Sequence, residues 1–278
     1  MTITSALAAL TAGDRVRARD LASTGDSPLA RALTAYLASD ADGTVYDQPA
    51  AFKAFIGGGG NIGLYEAVSA ALADLYDRAR PVSLLDIGCG DGRALLPALT
   101  GHRPSRLTLV EPSEALLEVA VRGVPEGIGL DARNTRVEPF AASCGEFDLA
   151  ESTFALHALP HEVRDEVLAA LAPKVGVLAV VEFDVPELSP EDRLRFLAET
   201  YERGLAEYED DRDLVAQGFL MPVLTGQLLP GAVRSTWEQP AAKWAEQVTR
   251  AGFTEVRVTH LYDYWSSPAF LLTAAGAA

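Results

Sequence analysis

Basic residues are scarce in this chain. Twenty-three lysines and arginines stand against 39 aspartates and glutamates, a formal net charge of −16 at pH 7. A surface of that sign repels phosphate backbones, which argues against a DNA or RNA substrate and in favour of a small molecule. Cysteine is scarcer still. Cys89 and Cys144 are too few for a disulfide framework or a thiolate metal site. No apolar run reaches membrane-spanning length, and the first residues lack the pattern of a signal or transit peptide. A cytoplasmic location without a membrane partner is the expectation. Repeats and long low-complexity segments are absent. Nothing in the sequence points to an oligomeric state.

Against these absences, one stretch is rich in information. Residues 84–93 read Leu-Leu-Asp-Ile-Gly-Cys-Gly-Asp-Gly-Arg: an apolar strand ending in an acid, a turn with glycines at 88, 90 and 92, and a helix start. Alternate glycines let backbone turn tightly and approach a ligand. The following helix N-terminus offers free N–H groups to it. A dinucleotide fingerprint would want a small residue where Arg93 stands, and Asp86 would face its pyrophosphate. A phosphate-free ligand carrying an amine and a sulfonium tolerates that acid. S-adenosylmethionine (SAM) fits the description. Farther on, Arg-Leu-Thr-Leu-Val-Glu at 106–111 is a β-rich run ending in Glu111, followed by Pro112. An acid about 20 residues beyond a glycine turn is placed to hold a ribose diol.

The acid followed by Gly-x-Gly-x-Gly resembles motif I of the class I SAM-dependent methyltransferases. That resemblance covers roughly residues 62–185 and 238–275. It implies an α/β fold with a seven-stranded, mostly parallel Rossmann-like sheet in the order 3-2-1-4-5-7-6, helices on both faces and the last strand antiparallel. It implies SAM as cofactor, held by Asp86, Gly88, Cys89, Gly90, Gly92, Glu111 and Pro112. It implies methyl transfer to a small-molecule acceptor, with secondary metabolism as one setting. Two alternatives stay open: a catalytically silent SAM-binding or auxiliary protein on this fold, and an NAD-dependent oxidoreductase, which Asp86 and Arg93 disfavour.

The organisation follows from periodicity. Residues 1–61 read as an N-terminal helical cap, with Ser27-Pro28 as a helix start. Residues 62–278 read as the methyltransferase domain, and 186–237 as a lid or substrate insertion, as the resemblance implies. Leu64, Val68, Ala71, Leu72 and Leu75 form a helical stripe. Gly57–Gly60 calls for a hinge, a close approach or a plain linker. Strands are expected at 82–87, 106–111, about 129–138, 146–151, 175–183, 254–263 and 268–274. Helices are expected at 91–100, 113–122 and 160–172, with another opened by Pro240. Pro97 should shorten the first of these. Leu194, Leu197, Tyr201 and Leu205 suggest an amphipathic helix, whereas 219–224 shows neither helical nor alternating order.

In open α/β sheets ligands bind beyond the carboxyl ends of the strands. After strand 4 come Glu151, Ser152 and Thr153, which by resemblance line the methionine part of SAM, and then His157. An imidazole titrates near neutrality, so His157 is the candidate catalytic base for a hydroxyl acceptor. His161 is expected to be exposed, His102 in a distant loop, and His260 buried and hydrogen-bonded. Glu182 and Asp184 at the end of strand 5 fall short of an octahedral metal site, so no metal is expected; they could instead steer a cationic substrate group. Phe219, Met221, Tyr262, Tyr264 and Trp265 are the candidates for walling an apolar or aromatic substrate.

Overall fold

A computed structural model describes residues 3–39, 48–232 and 234–277, except for the side chain of Pro49. The chain divides into two compact units.

The sheet unit comprises residues 63–186, 236–263 and 268–278. Its strands are β1 (Ser83–Ile87), β2 (Arg106–Val110), β3 (Gly129–Arg133), β4 (Phe147–Thr153), β5 (Val175–Phe183), β6 (Thr254–Tyr262) and β7 (Ala269–Ala275). They form one seven-stranded sheet in the order β3-β2-β1-β4-β5-β7-β6. The pairs among β1 to β5 are parallel, while β7 is antiparallel to both β5 and β6. Thus order and directions are those expected. The central strands are apolar on both faces, as a sheet covered by helices requires; β1 is buried at every position. Helices His161–Leu171 and Ala241–Arg250 supply Leu168, Leu171, Trp244 and Val248 to a core that also takes Leu85, Ile87, Val180 and Phe270. At the opposite end from the glycine turn, Asp148 accepts from the Val82 and Ser83 amides and the Ser83 hydroxyl. The Ser83 amide bond in particular keeps this carboxyl below its ordinary pKa, and the cluster sets the β1–β4 register.

The structure corrects several local expectations. β3 stops at Arg133, and 137–143 form a helix instead. The sequence Gly-Leu-Asp-Ala-Arg is half polar, and β3 lies at the sheet edge, where little burial rewards a longer strand. The expected helix at 91–100 shrinks to Leu95–Ala98 around Pro97. β4 runs on to Thr153.

The helical unit comprises residues 1–62, 187–235 and 264–267, so the expected cap and insertion share one core. Leu7, Leu10, Leu29 and Leu33 pack with Leu197, Tyr201, Leu205 and Leu224. Ser27 caps helix Pro28–Ala38 by accepting from the Ala30 amide, with Pro28 in its first turn. Residues 216–224 are helical: Arg212–Val215 continues through a π-helical turn, Ala216–Leu220, into Met221–Leu228. A segment hydrophobic nearly all round lacks helical periodicity because it is buried nearly all round.

Gly58–Gly60 link helices Pro49–Gly57 and Asn61–Ala79. A Cβ at Gly60 would stand 2.7 Å from Glu207 Oε2, and one at Gly59 3.0 Å from the Tyr208 ring. Gly59 and Gly60 are therefore a close approach of backbone to side chains, whereas a Cβ at Gly57 would meet open space among the described residues. Beside it, the Asn61 side-chain amide donates to the Phe55 carbonyl and the Tyr208 hydroxyl, and Tyr264 donates to Asn61 Oδ1. Among the described residues no helix is long and apolar enough to cross a membrane.

Candidate active site

The glycine turn leaves β1 and immediately meets β2. Gly88 and Cys89 donate their amides to the Val110 carbonyl at 2.7 and 3.3 Å. Gly88 has φ of 69°, and a Cβ there would lie 2.4 Å from that of Ala155. Neither backbone nor neighbour accepts a methyl group, so Gly88→Ala is expected to destabilise the protein by about 2–4 kcal/mol, measured as a lowered urea midpoint. Gly90 has φ of 53°, yet among the described residues beyond its chain neighbours no atom lies within 4 Å of where its Cβ would be. Its outer face is open to a ligand.

Glu111 follows β2 and is buried. Its Oε2 accepts from the Gly90 amide at 3.0 Å and its Oε1 from the Ser113 amide at 2.9 Å. Each carboxylate oxygen retains a lone pair for a further donor, so the carboxylate is oriented but not saturated. Asn134, which sequence reasoning missed, donates to the carbonyls of Glu111 and Pro112. It thereby fixes the loop that presents the acid. Pro112 itself is exposed.

Asp86 is 4% exposed. Burial, with a smaller contribution from the Glu111 charge, pushes its carboxyl up to about 7. Its register partner across β1 and β4 is Glu151. Glu151 is also buried; burial and then the Asp86 charge raise its pKa strongly. The Tyr76 hydroxyl donates to Glu151 Oε2, while Oε1 is buried without a hydrogen-bond partner among the described residues. Two carboxyls therefore sit beneath the glycine turn with more acceptor capacity than the protein fills. A cationic ligand group is the kind of partner such a site favours.

The other cofactor candidates divide by their surroundings. Cys89 is half-buried, and desolvation raises its thiol well above the ordinary value, so it stays neutral. Ser152 is fully buried and donates its hydroxyl to the Ile87 carbonyl at 3.0 Å, tying β4 to the start of the turn. Thr153 is half-buried at the β4 terminus, and Gly92 is buried.

Beyond β4 the chain enters a left-handed residue, Phe154, with φ of 50°. A bulky side chain in that region costs roughly 1–3 kcal/mol. Phe154 stacks on Phe183 with ring centroids 4.5 Å apart, and Tyr65 meets it edge-on. Packing thus fixes the bend that carries His157. His157 Nδ1 lies 2.8 Å from Glu182 Oε2, and its amide donates to Oε1 at 3.1 Å. A carboxylate accepts from Nδ1–H, which in the neutral ring leaves the lone pair on Nε2. Desolvation lowers the ring's pKa, but attraction from Glu182, with a hydrogen bond to it and the Glu238 charge, raises it more; the net direction is up.

Spacing gave no sign of this pairing, since the two residues are 25 positions apart on different strand ends. The companion acid does something else. Asp184 is exposed, and its Oδ1 accepts from the Ala241 amide, capping helix Ala241–Arg250. His260 is corrected as well. Its side chain is 59% exposed and meets Asp263 at 3.2 Å, because β6 is the outermost strand of the sheet. His102 contacts the Pro81 carbonyl, and His161, half-buried rather than exposed, lies against Arg164.

The five acceptor-side candidates are divided between the two units. In the helical unit, Met221 is fully buried in the core, while half-buried Phe219 stacks on Phe55 at 4.0 Å. Tyr264 is buried, and Trp265 packs edge-on against Tyr201. Tyr262 belongs to the sheet unit, where its hydroxyl would meet a Cβ at Gly63.

The fold agrees with the comparisons to known proteins. A family model described as a methyltransferase domain matches residues 84–174, from the glycine turn to the start of β5. That segment, about a third of the chain, is similar to a methyltransferase domain. Magnesium protoporphyrin IX methyltransferase from Synechocystis PCC 6803, solved with bound S-adenosylhomocysteine, is 17% identical and aligns with a TM-score of 0.54 over 85% of this chain and 90% of its own. The same enzyme solved with SAM gives 13% identity and 0.53, over 84% and 92%. An O-methyltransferase family protein from Burkholderia thailandensis gives 14% and 0.56, over 84% and 61%. At these identities the likeness is one of methyltransferase fold. No curated protein sequence matches the chain.

Proposed function

We propose that this protein transfers the methyl group of SAM to a hydroxyl of a small organic acceptor. The observation that carries the reading is the pairing of His157 with Glu182 at 2.8 Å, beyond the same strand ends that hold the glycine turn. SAM supplies an electrophilic methyl on a positively charged sulfur. The chain's part is to hold, orient and deprotonate. Glu111, oriented by two amides, accepts from the ribose hydroxyls. Gly90 allows the cofactor to lie against the backbone. Asp86 offers charge to the cofactor's ammonium, with Glu151 beneath it and Thr153 at the neighbouring strand end. His157 takes the acceptor's proton at Nε2, and Glu182 stabilises the imidazolium that forms. Holding the acceptor oxygen in line at about 3–3.5 Å supplies much of the acceleration. Of the apolar candidates, Phe219 and Trp265 in the helical unit and Tyr262 in the sheet unit are half-buried and each retains exposed surface. The surplus of acids suits a neutral or cationic molecule better than a phosphorylated one.

The test is release of S-adenosylhomocysteine from SAM with a panel of phenols, alcohols, amines and thiols. Turnover with hydroxyl compounds supports the proposal. Turnover confined to amines or thiols, or SAM binding without any turnover, refutes it. Glu111→Ala provides a check on the cofactor side. Loss of two charge-assisted hydrogen bonds is expected to weaken SAM about 100-fold by calorimetry; an unchanged Kd removes the ribose assignment.

A further inference from the structure

Arg164 is fully buried, a rare state for a guanidinium. It lies in helix His161–Leu171, off the strand ends. Its Cζ stands 3.9 Å from the centroid of the Trp244 ring, a cation–π contact of the desolvated, stronger kind. From that platform it donates to two backbone carbonyls. Nη1 reaches Leu156 at 3.4 Å and Nη2 reaches Trp237 at 3.1 Å. Leu156 immediately precedes His157. The Trp237 amide donates to the His157 carbonyl at 2.6 Å. These contacts close a ring: guanidinium, Leu156, His157, Trp237 and back to guanidinium. A second buried chain braces it, from Gln239 to Gln247 Oε1 and from Gln247 to the His161 carbonyl.

We infer that Arg164 is a positioning residue for the proposed methyl transfer, clamping the His157 loop to the segment after the helical insertion so that the imidazole stays where Glu182 can hold it. The inference rests on the reading of His157 as the base. A planar fork suits the task. It spans two carbonyls while stacked on an indole, which an ammonium does not. The clamp also carries charge. Around the ring stand Glu182 from β5, Glu238 from the segment after the insertion, and Arg164 from its own helix; the two acids favour the imidazolium and Arg164 opposes it. Near Arg164 lies the His161 ring, and Tyr65, from helix Asn61–Ala79, feels the Glu182 charge. Of the charges acting on the ring, Arg164 is thus the group that keeps more of His157 in the neutral, proton-accepting form.

The experiment combines kinetics with NMR titration of the His157 ring proton, assigned by its absence in His157→Gln. Arg164→Lys keeps the charge and loses the fork. It is expected to fold, to bind SAM as the parent does, to leave the ring's titration midpoint in place, and to lower kcat at least tenfold. Arg164→Met loses both and is expected also to raise the midpoint, shifting the acid limb of the rate profile to higher pH. Parent-like kcat in Arg164→Lys overturns the clamp. If Arg164→Met does not fold, Arg164→Lys alone decides. If no hydroxyl compound is methylated by the parent, the midpoint still reports. A raised midpoint in Arg164→Met then upholds the contact while the methyl-transfer reading falls, and an unmoved midpoint overturns the contact too.

Discussion

His157→Ala is expected to lower kcat for methyl transfer to a hydroxyl by about 100- to 10 000-fold, while SAM affinity stays at the parent's level. The reason is geometric. His157 contacts Glu182 and the Trp237 segment, and none of the residues proposed to hold the cofactor depends on its ring. Glu182→Gln tests the same dyad from the other side. Removing the carboxylate takes away the main source of attraction for the imidazolium. The ring's pKa should therefore fall toward or below the ordinary histidine value. The acid limb of the kcat/KM profile should move to lower pH, and kcat on the plateau should drop because the base is weaker and less well aimed. Kinetics and calorimetry on the same preparations separate the effects. A His157→Ala protein that turns over like the parent means the acceptor gives up its proton elsewhere.

Asp86→Asn is expected to make the protein more stable above pH 7 and unable to use SAM well. Folded Asp86 titrates at about 7 rather than at the model-peptide value of 3.8, chiefly because it is buried. A carboxyl with a raised folded pKa binds its proton more tightly in the native state, so stability falls as pH rises from about 4 to about 7 and is lowest above that. The amide has no charge to desolvate. The variant should match the parent near pH 4 and exceed it at pH 8 by about 2–4 kcal/mol, seen as a higher Tm that grows with pH. His157 acts in the same direction, since its folded pKa is also raised; its contribution is lost as pH climbs past that value. SAM affinity should fall at least tenfold in Asp86→Asn, and the parent should release protons on binding SAM near pH 7, read as a dependence of binding enthalpy on buffer. A less stable Asn variant at pH 8 means that the ionised carboxylate has a partner that favours it.

Much of this was written in local chemistry. Apolar runs bounded by turn residues located β1, β2, β4 and β5, because strands buried on both faces must be apolar. The glycine turn announced itself through Gly88 and Gly90, whose positive φ no other residue type adopts easily. Segments balanced between burial and exposure were harder. The third strand reads as reaching about residue 138, whereas Val137–Ser143 is helical, and helix formation there depends on packing Ala141 and Phe140 against the sheet core. His260 alternates with two valines like a core residue, yet the sheet ends at β6. The base's partner was hidden for another reason: Glu182 and His157 meet only because β4 and β5 are adjacent and in register, a relation that spacing does not carry. Arg164, in a helix full of ordinary charges, gave no sign of being buried.

The helical unit is assembled from three stretches of chain, and that shapes its birth on the ribosome. Leu7, Leu10 and Leu33 emerge first, but their partners Leu197, Tyr201 and Leu205 follow more than 150 residues later. At ordinary translation speeds that is a wait of roughly 10–30 s. During it the nascent N-terminal helices show naked hydrophobic faces to solvent, so the yield of folded protein should depend on chaperone supply and improve when synthesis is slowed by cold.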